Sequence, residues 1–289
     1  MKPVLFELGN LKIYSYGVMM VVGYLAALLF NYKNAHKAKL SRDEAIDITI
    51  YIFFSGLIGS RLVYILLNLE KYIPDWKKMF AFNQGGLSWH GGFLGAGICI
   101  YLFCKIKKIK VLPVADLLFT TSILGLALGR IGCFLNGCCY GKACSLPWAV
   151  TFPSHRHPIP VHPTQLYEMF LDLIIFAFLL YWLKKRKFWG ENTMMTFASY
   201  SVVRFIVEFY RFNEPNQMIH GLSLAQWFSI GLFTVMAAGI VWLRAHTPEN
   251  LIIDHDSLKP EEQEKTRNKK ENSSDFPGDT GGETRLEQL

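Results

Sequence analysis

Two arginines stand inside apolar stretches of the sequence, where a permanent charge is costly. Arg130 lies near the end of the apolar run 113–135, and Arg204 lies within the run 193–212. A guanidinium group stays ionised and can hold a phosphate group through two parallel hydrogen bonds. Ionisable groups at membrane depth are functional candidates by default. The two arginines therefore predict a site for a phosphate-bearing ligand such as a phospholipid head group.

Further ionisable residues fall within the apolar runs. Tyr200, Arg204 and Glu208 recur every four residues, so they share one helix face, and Arg204 and Glu208 can pair. If the chain alternates across a bilayer, most of the candidates lie in one layer together with Tyr16 and Gln165. For Arg61 a structural ion pair and a functional role are equally favoured. The ionisable candidates are Arg61, His90, Arg130, Glu168, Asp172, Arg204 and Glu208.

A cysteine cluster follows Arg130 in the segment GRIGCFLNGCCYG, residues 129–141. Cys133, Cys138, Cys139 and Cys144 have the spacing C-x4-C-C-x4-C, without the C-x-x-C pair that is typical of redox motifs. A thiol-redox protein, or a zinc site completed by nearby histidines, remains an alternative. The histidines in question are His155, His157 and His162.

We expect the cysteines to support structure rather than to carry chemistry. A bridge from Cys144 to Cys138 or Cys139 would stabilise a short external segment that has little core of its own. Cys133 is expected to be a small buried hydrophobic residue at the end of its helix.

Seven apolar runs carry the ionisable candidates. The chain has 289 residues, of which 51% are hydrophobic. Each run is close to the roughly 20 residues that a helix needs to cross a bilayer. We therefore predict an all-α polytopic membrane protein with about seven transmembrane helices. The runs cover about 16–32, 47–68, 87–104, 113–135, 166–183, 193–212 and 222–243.

The loops between the runs differ in their content of Lys and Arg. The loops after the first, third and fifth runs are rich in these residues, and the alternate loops are poorer. Because basic loops stay on the cytoplasmic side, we expect the N-terminus outside and the C-terminus in the cytoplasm. The net charge of +7 follows from these loops and implies no nucleic-acid partner.

Two segments outside the runs complete the organisation. Residues 136–163 form a long loop rich in Pro, His and Cys, which predicts a small external cap. Residues 245–289 are polar, mixed in charge and poor in aromatic residues, which predicts a disordered cytoplasmic tail. The chain is thus divided into a transmembrane domain, residues 1–244, and the tail.

Two shorter motifs mark the starts of apolar runs. Gly91 and Gly95, in GGLSWHGGFLG, have the spacing that lets two helices approach closely. In HPTQLYE, residues 162–168, Pro163 suits the first turn of a helix. Both motifs predict polar groups at the outer end of a helix.

Five motifs, in this order, resemble those of the phosphatidylglycerol–prolipoprotein diacylglyceryl transferases of bacterial inner membranes. They are SYGVMM, GGLSWHGGFLG, GRIGCFLNGCCYG, HPTQLYE and YSVVRFIVEFYR. The resemblance covers roughly residues 10–243 and includes the layout of seven helices. In the third motif Cys133 and Cys138 depart from the family pattern, which more usually has Asn and Glu there. The matching residues of that motif are Gly129, Arg130, Gly132, Asn136, Gly137 and Gly141.

The resemblance implies transfer of the diacylglyceryl group of phosphatidylglycerol to the thiol of a lipobox cysteine on a prolipoprotein, with release of glycerol 1-phosphate. It implies a bacterial inner-membrane location, an active site toward the outer leaflet, contact with bilayer lipid, and no metal or other cofactor. The implied catalytic residues are His90, as base or proton relay, Arg204, Glu208 and Tyr16. Phosphatidylglycerol would be bound by Arg130, Arg204, Asn136 and Gly141, with support from Arg61, Gln165, Glu168 and Tyr200.

An anion transporter that uses the arginines as a pore is a further alternative. Such a protein would need a charged path through the membrane and repeats between its halves. The charges cluster on one side, and the sequence shows no repeat, so the transferase is favoured.

Overall fold

The computed structural model describes residues 4–8, 11–73, 79, 86–152, 159–211, 218–254 and 258. Two short antiparallel hairpins accompany the helices: β1 (Val4–Leu8) with β2 (Leu11–Tyr14), and β3 (Met218–Ile219) with β4 (Leu222–Ser223). The α-helices are α1 (Ser15–Asn34), α2 (Arg42–Leu67), α3 (Leu69–Tyr72), α4 (Trp89–Lys107), α5 (Val111–Asn136), α6 (Thr164–Leu183), α7 (Glu191–Glu208) and α8 (Leu224–Ala245).

Each of the seven predicted apolar runs is a helix. Within the described residues, α1, α2, α4, α5, α6 and α8 are long and apolar enough to cross a membrane. The remaining run is α7, a helix of 18 residues that carries Glu191, Arg204 and Glu208 and is therefore more polar. The prediction of an all-α polytopic membrane protein is confirmed, and the two hairpins are small additions that the apolar runs do not indicate.

Helix α5 lies at the centre of the bundle. It packs against α1, α6 and α7, while α2 lies along α4 and α7 lies along α8. Half of the apolar span of α5 (50%) is buried inside the protein, compared with at most 28% for the other spans. Because α5 contacts helices from distant parts of the sequence, side chains at its C-terminal end can meet partners from all of them.

Glycines bring α2 and α4 into close contact. A Cβ atom added to Gly91 would overlap the carbonyl oxygen of Gly59, and one added to Gly95 would overlap that of Ser55. The helices can approach this closely only because these positions have no side chain. The close packing predicted from the spacing of Gly91 and Gly95 is confirmed.

A capping box sets the start of α2. The Ser41 side chain accepts a hydrogen bond from the Glu44 N–H at 3.1 Å, and the Glu44 carboxylate accepts one from the Ser41 N–H at 2.8 Å. Both bonds satisfy backbone donors that a helix start otherwise leaves free. The helix therefore begins at Arg42, before the apolar run that starts at about 47.

A buried ionic network lies at the N-terminal end of α5, whereas Arg130 lies near the C-terminal end. Asp116 lies in the first turns of α5, and 14 residues of helix place it about 21 Å from Arg130. Its carboxylate accepts hydrogen bonds from the Arg186 guanidinium at 2.7 Å and from the Thr193 N–H at 2.8 Å. Asp116 and Arg186 are both almost fully buried. The network joins α5 to the segment that connects α6 with α7.

Glu191 extends this network to α8. Its carboxylate forms an ion pair with Arg244, whose Nε atom donates at 2.8 Å. The indole N–H of Trp182 on α6 donates to the same oxygen at 3.1 Å. Three helices are therefore fixed to one carboxylate at this end of the bundle.

The folded unit ends later than the predicted domain boundary at 244. A compact unit extends to Ile253, and a short 3₁₀ helix covers Glu249–Leu251. Backbone hydrogen bonds of 3.0 Å and 3.2 Å join this segment to the connection between α6 and α7. Most of the predicted disordered tail, residues 255–257 and 259–289, lies outside the described residues.

Candidate functional site

Arg130, Glu168 and Tyr200 join three helices at one end of the bundle. The guanidinium of Arg130 on α5 forms an ion pair with Glu168 on α6. The Tyr200 hydroxyl, on α7, donates to the same carboxylate oxygen at 3.2 Å. The Glu168 side chain is 1% exposed and the Arg130 side chain is 15% exposed. A ligand can therefore reach the arginine, while the carboxylate holds it from behind.

Arg130 keeps unused hydrogen-bonding capacity. Its buried Nε atom has no hydrogen-bond partner within the part of the chain that the structure describes. Buried polar groups are rarely left without a partner in folded proteins. An anionic ligand beside Arg130 would supply an acceptor, and a planar guanidinium suits a phosphate group.

Arg204 and Glu208 form the second ionic pair of the site. They are one helical turn apart on α7, and the Arg204 Nη2 atom lies 2.9 Å from a Glu208 carboxylate oxygen, as the sequence predicts. The other Glu208 oxygen accepts a hydrogen bond from the Ser223 hydroxyl at 3.1 Å. The Glu208 side chain is 4% exposed and that of Arg204 is 25% exposed. Here too a buried carboxylate positions an accessible arginine.

Tyr200 links the two pairs. Electrostatic interactions connect its hydroxyl with Glu168, Arg130 and Arg204. Tyr200 lies one turn before Arg204 on the same face of α7. Its contacts therefore relate Arg204 to Arg130. Tyr200 therefore interacts with residues of both arginine–carboxylate pairs.

Asp172 is a buried acid beside this centre. It lies one turn after Glu168 on α6 and is fully buried. Neither carboxyl oxygen has a hydrogen-bond partner among the residues described. A second full negative charge beside Glu168 would be costly without another cation. The sequence marks Asp172 only as an ionisable group in an apolar run, and its position behind Glu168 becomes visible in three dimensions.

The turn after α5 is fixed by the start of α6. Gly137 ends α5 in the left-handed region, at φ 73°, and reverses the chain. The Gln165 side chain donates to the carbonyl of Cys138 at 2.6 Å, and the Thr164 hydroxyl donates to that of Cys139 at 2.9 Å. Gln165 is thus a positioning residue for this turn. Asn136, the last residue of α5, is partly exposed beside it.

Gly141 ties the predicted cap to the end of α7. It is buried, and a Cβ atom added there would overlap the carbonyl oxygen of Tyr210. Its N–H donates to the His162 carbonyl at 2.9 Å. This placement gives Gly141 a packing role, because no side chain fits at this position.

Tyr16 approaches the same turn from α1. It is 41% exposed, and its backbone packs against Gly132 of α5, where an added Cβ atom would lie 3.3 Å from the Tyr16 Cα. Electrostatic interactions link its hydroxyl with Arg130 and with the cysteines of the turn. The predicted grouping of Tyr16 with Arg130 agrees with this position.

The cysteines are arranged differently from the expectation. Cys133, Cys138 and Cys139 place their sulfur atoms within 4.8 Å of one another, and Cys144 lies outside this group. All six cysteines are free, so the expected bridge from Cys144 is absent, while Cys133 is buried near the end of α5 as expected. The backbone reversal at Gly137, which the spacing does not indicate, folds the pair Cys138–Cys139 back onto Cys133.

The adjacent cysteines Cys138 and Cys139 differ in acidity. A hydrogen bond from the Cys133 thiol lowers the pKa of Cys139 to about 5, and the positive charges of Arg211 and Arg130 contribute. Burial raises the pKa of Cys138. Above pH 5, the folded protein therefore favours a thiolate at Cys139.

The contacts described for two predicted site residues, His90 and Arg61, are with residues outside this centre. His90 is exposed at the start of α4, and its ring contacts Trp89 edge-on at 5.4 Å. Arg61 is buried and donates to the backbone carbonyls of Met79 at 2.9 Å and Gly86 at 3.0 Å. Arg61 therefore holds the connection between α2 and α4, which favours its structural role.

The geometry of the site can be compared with known proteins. The chain matches the family model described as prolipoprotein diacylglyceryl transferase over residues 3–242. The chain belongs to this family. The match spans every helix of the bundle from α1 to the greater part of α8, including both arginine–carboxylate pairs.

Relatives in this family cover most of the chain. The phosphatidylglycerol–prolipoprotein diacylglyceryl transferase of Clostridium tetani is 38% identical over 242 residues, which is 82% of this chain and 94% of that protein. Proteins of the same name from Idiomarina loihiensis and Bordetella bronchiseptica are 35% and 32% identical, over 79% and 85% of this chain and 88% and 96% of their own lengths. The resemblance drawn from the five motifs is confirmed.

Proposed function

We propose that this chain transfers the diacylglyceryl group of phosphatidylglycerol to the thiol of a lipobox cysteine on a prolipoprotein. The products are a thioether and glycerol 1-phosphate. The observation that carries the proposal is the accessible guanidinium of Arg130, held from behind by the buried Glu168. Family membership supplies the reaction class, and this pair supplies a place for the phosphate of the lipid.

Arg130 and Arg204 hold the phosphate group in this proposal. The departing phosphate carries negative charge, which fixed cations stabilise without reorganisation of solvent. Each arginine is backed by a carboxylate, Glu168 or Glu208, which fixes its orientation. The two carboxylates are buried, so they position the arginines and do not themselves contact the lipid.

The remaining residues around the turn take smaller roles. Tyr16 donates a hydrogen bond to the head group from its exposed position on α1. Asn136 contacts the lipid at the end of α5, and Gln165 holds the turn through the Cys138 carbonyl. Gly141, where no side chain fits, packs the cap against the segment that follows α7.

His90 is our candidate for the group that removes the proton of the acceptor thiol. An unperturbed thiol has a pKa of about 8.5, so most of it is protonated near neutral pH. An exposed imidazole can accept this proton and exchange it with water. The exposure of His90 supports proton exchange, and its position on α4 requires the acceptor peptide to approach from that side.

We propose that the site faces the outer leaflet of the bacterial inner membrane. The basic loops after α1, α4 and α6 support a cytoplasmic position for those loops. Arg130 then lies near the outer end of α5, at the depth of lipid head groups. This orientation gives an N-terminus outside the cell and a C-terminus in the cytoplasm.

A transfer assay tests the proposal. The purified full chain is incubated with phosphatidylglycerol labelled in its acyl chains and a lipobox peptide, and thioether formation is followed by mass spectrometry. We expect labelled diacylglyceryl peptide and an equal amount of glycerol 1-phosphate. Matched controls are the peptide with serine in place of its cysteine and a phosphatidylethanolamine donor. Absence of the thioether with folded protein, or equal product from the serine peptide, would contradict the proposal.

A further inference from the structure

Three thiols converge at the end of α5, beside the proposed phosphate site. The sulfur atoms of Cys133, Cys138 and Cys139 all lie within 4.8 Å of one another. Two left-handed residues produce this arrangement: Gly137 at φ 73° and Cys139 at φ 65°. Left-handed backbone is uncommon for a residue with a side chain, and such residues cluster at functional sites. The convergence therefore stands out from ordinary thiol packing.

The spacing of the three sulfur atoms suits a metal ion. Zinc binds thiolate sulfur at about 2.3 Å, so three thiolates around one tetrahedral ion are separated by about 4 Å. Only a small inward movement of the thiols would reach this separation. Hydrogen bonds from Gln165 and Thr164 hold the carbonyls of Cys138 and Cys139, so the ligands are largely preorganised.

Nearby cations offset the charge that such a site would carry. Three thiolates and one Zn²⁺ have a net charge of −1. Arg130 and Arg211 lie close enough to interact electrostatically with Cys139. Their positive charges lower the cost of holding the thiolates at this depth.

The described residues offer no fourth ligand in this group. Cys144 and His162 are not part of it, and the His162 Nδ1 atom is 3.2 Å from the Tyr167 hydroxyl. His155 and His157 lie outside the described residues. Zinc sites with four protein ligands are structural, whereas three protein ligands and one open position are typical of catalytic zinc. Electrostatic interactions link Tyr16 with the three cysteines and with Arg130, a residue of the proposed phosphate site.

We propose that Cys133, Cys138 and Cys139 bind one Zn²⁺ ion, and that its open position takes the thiolate of the acceptor cysteine. This inference rests on the proposed function and deepens it. It assigns a role to cysteines at positions where the family pattern more usually has Asn and Glu. It also replaces the expectation of a site without metal.

The chemistry of the step is a displacement at carbon. The acceptor thiol first gives its proton to His90 and then binds to zinc as the thiolate. A sulfur lone pair then forms the C–S bond to the glyceryl carbon, and the electron pair of the breaking C–O bond leaves with the phosphate. Arg130 and Arg204 stabilise the phosphate, and the neutral thioether, a weaker ligand, leaves the zinc. No oxidant or reductant takes part.

Metal content is the first test. The full chain is purified in detergent under reducing conditions, and its zinc content is measured by elemental mass spectrometry. We expect about one zinc per chain, and loss of zinc in both Cys133→Ser and Cys139→Ser. Cys99→Ser and Cys144→Ser are matched controls that should keep it. Absence of zinc after incubation with excess Zn²⁺, copper in place of zinc, or equal zinc in all four variants would overturn the site.

Cobalt spectroscopy tests the open position independently of turnover. Co²⁺ replaces zinc in the purified protein, and the thiolate-to-cobalt charge-transfer band is recorded. We expect this band to gain intensity when a lipobox peptide is added, and to remain unchanged with the serine peptide. An unchanged band with the cysteine peptide would overturn acceptor binding to the metal.

The two proposals can fail separately. Transfer by a protein that binds no zinc leaves the proposed function intact and overturns the zinc site. Zinc bound by the three cysteines, with a band that responds to the peptide thiol but no transfer from phosphatidylglycerol, supports the site and contradicts the proposed function. Thermal unfolding of each variant shows whether a loss of metal reflects unfolding, and Cys138→Ser provides a third variant if another does not fold.

Discussion

The carboxylate of Glu168 on α6 pairs with the guanidinium of Arg130 on α5, 38 residues earlier in the chain. The acid is almost fully buried and the arginine is partly exposed. Glu208 and Arg204 repeat this relationship within one helix. In both pairs the protein buries the negative partner and presents the positive one, which is the arrangement that binding of an anion requires.

Removal of Arg130 should abolish transfer. Lost contacts to a developing charge commonly cost on the order of 3 kcal/mol, or a hundredfold or more in rate. Arg130→Ala should show at least this loss, and Arg130→Lys should also be severely impaired because lysine lacks the planar fork. Initial rates of thioether formation measure both, with Lys107→Ala as a surface control. Near-normal turnover by a folded Arg130→Ala variant would contradict the assignment of Arg130 to the phosphate site.

Arg204→Ala should reduce transfer more than Glu208→Gln does. The carboxylate only orients the arginine, and glutamine keeps an oxygen that can accept from Ser223. The measurement is kcat/KM for each variant with a fixed lipobox peptide. The opposite ranking would mean that Glu208 acts on the substrate directly.

His90→Ala should lose most of its activity near neutral pH and recover part of it as the pH rises. Alkaline solution supplies the acceptor thiolate without a base, because the thiol has an ordinary pKa of about 8.5. Rate profiles between pH 7 and pH 9.5 test this, with the wild-type protein as reference. A loss that is equal at every pH would make His90 a positioning residue.

Gly91→Ala should lower the thermal stability of the protein, and Gly97→Ala should not. Both glycines lie on α4, but a Cβ atom at Gly91 overlaps the Gly59 carbonyl and one at Gly97 meets nothing within 4 Å. Overpacking of this kind typically costs about 1–3 kcal/mol. Thermal unfolding in detergent compares the two variants. Equal melting temperatures would show that α2 and α4 can separate without cost.

Asp116→Asn should also destabilise the protein. Arg186 would then be buried without its countercharge, and breaking a buried ion pair costs about 3–5 kcal/mol. The exposed pair Lys12–Glu7 provides the control, since Glu7→Gln should change stability by about 0–1 kcal/mol. The double variant Asp116→Asn with Arg186→Gln should recover part of the loss. A single variant as stable as the wild type would contradict this reading.

The sequence predicts the helices and the layer of charges because both depend on local signals. Apolar runs mark the spans, and the spacing of Arg204 and Glu208 marks their pairing. The spacing of Gly91 and Gly95 predicts a close helix contact without identifying α2 as the partner. These features follow from helix periodicity alone.

Features that depend on tertiary contacts were missed. Asp116 stands in an apolar run but is not among the sequence candidates, because its partners lie 70 or more residues later. The convergence of Cys133 with Cys138 and Cys139 depends on left-handed backbone at Gly137 and Cys139. An acidic residue inside an apolar run was an available signal for Asp116, whereas cysteine spacing alone favoured a bridge to Cys144.

The Asp116 network has a consequence for the order in which the chain is made. A ribosome synthesises α5 before the residues that neutralise Asp116, which are Arg186 and the backbone donors of Gly190 and Thr193. Until residue 186 has left the ribosome, the central helix carries a carboxylate with none of these partners, and the set is complete only after residue 193. Insertion of α5 into the membrane and its final packing in the helix bundle are therefore two separate events. The packing must wait until the start of α7 has left the ribosome.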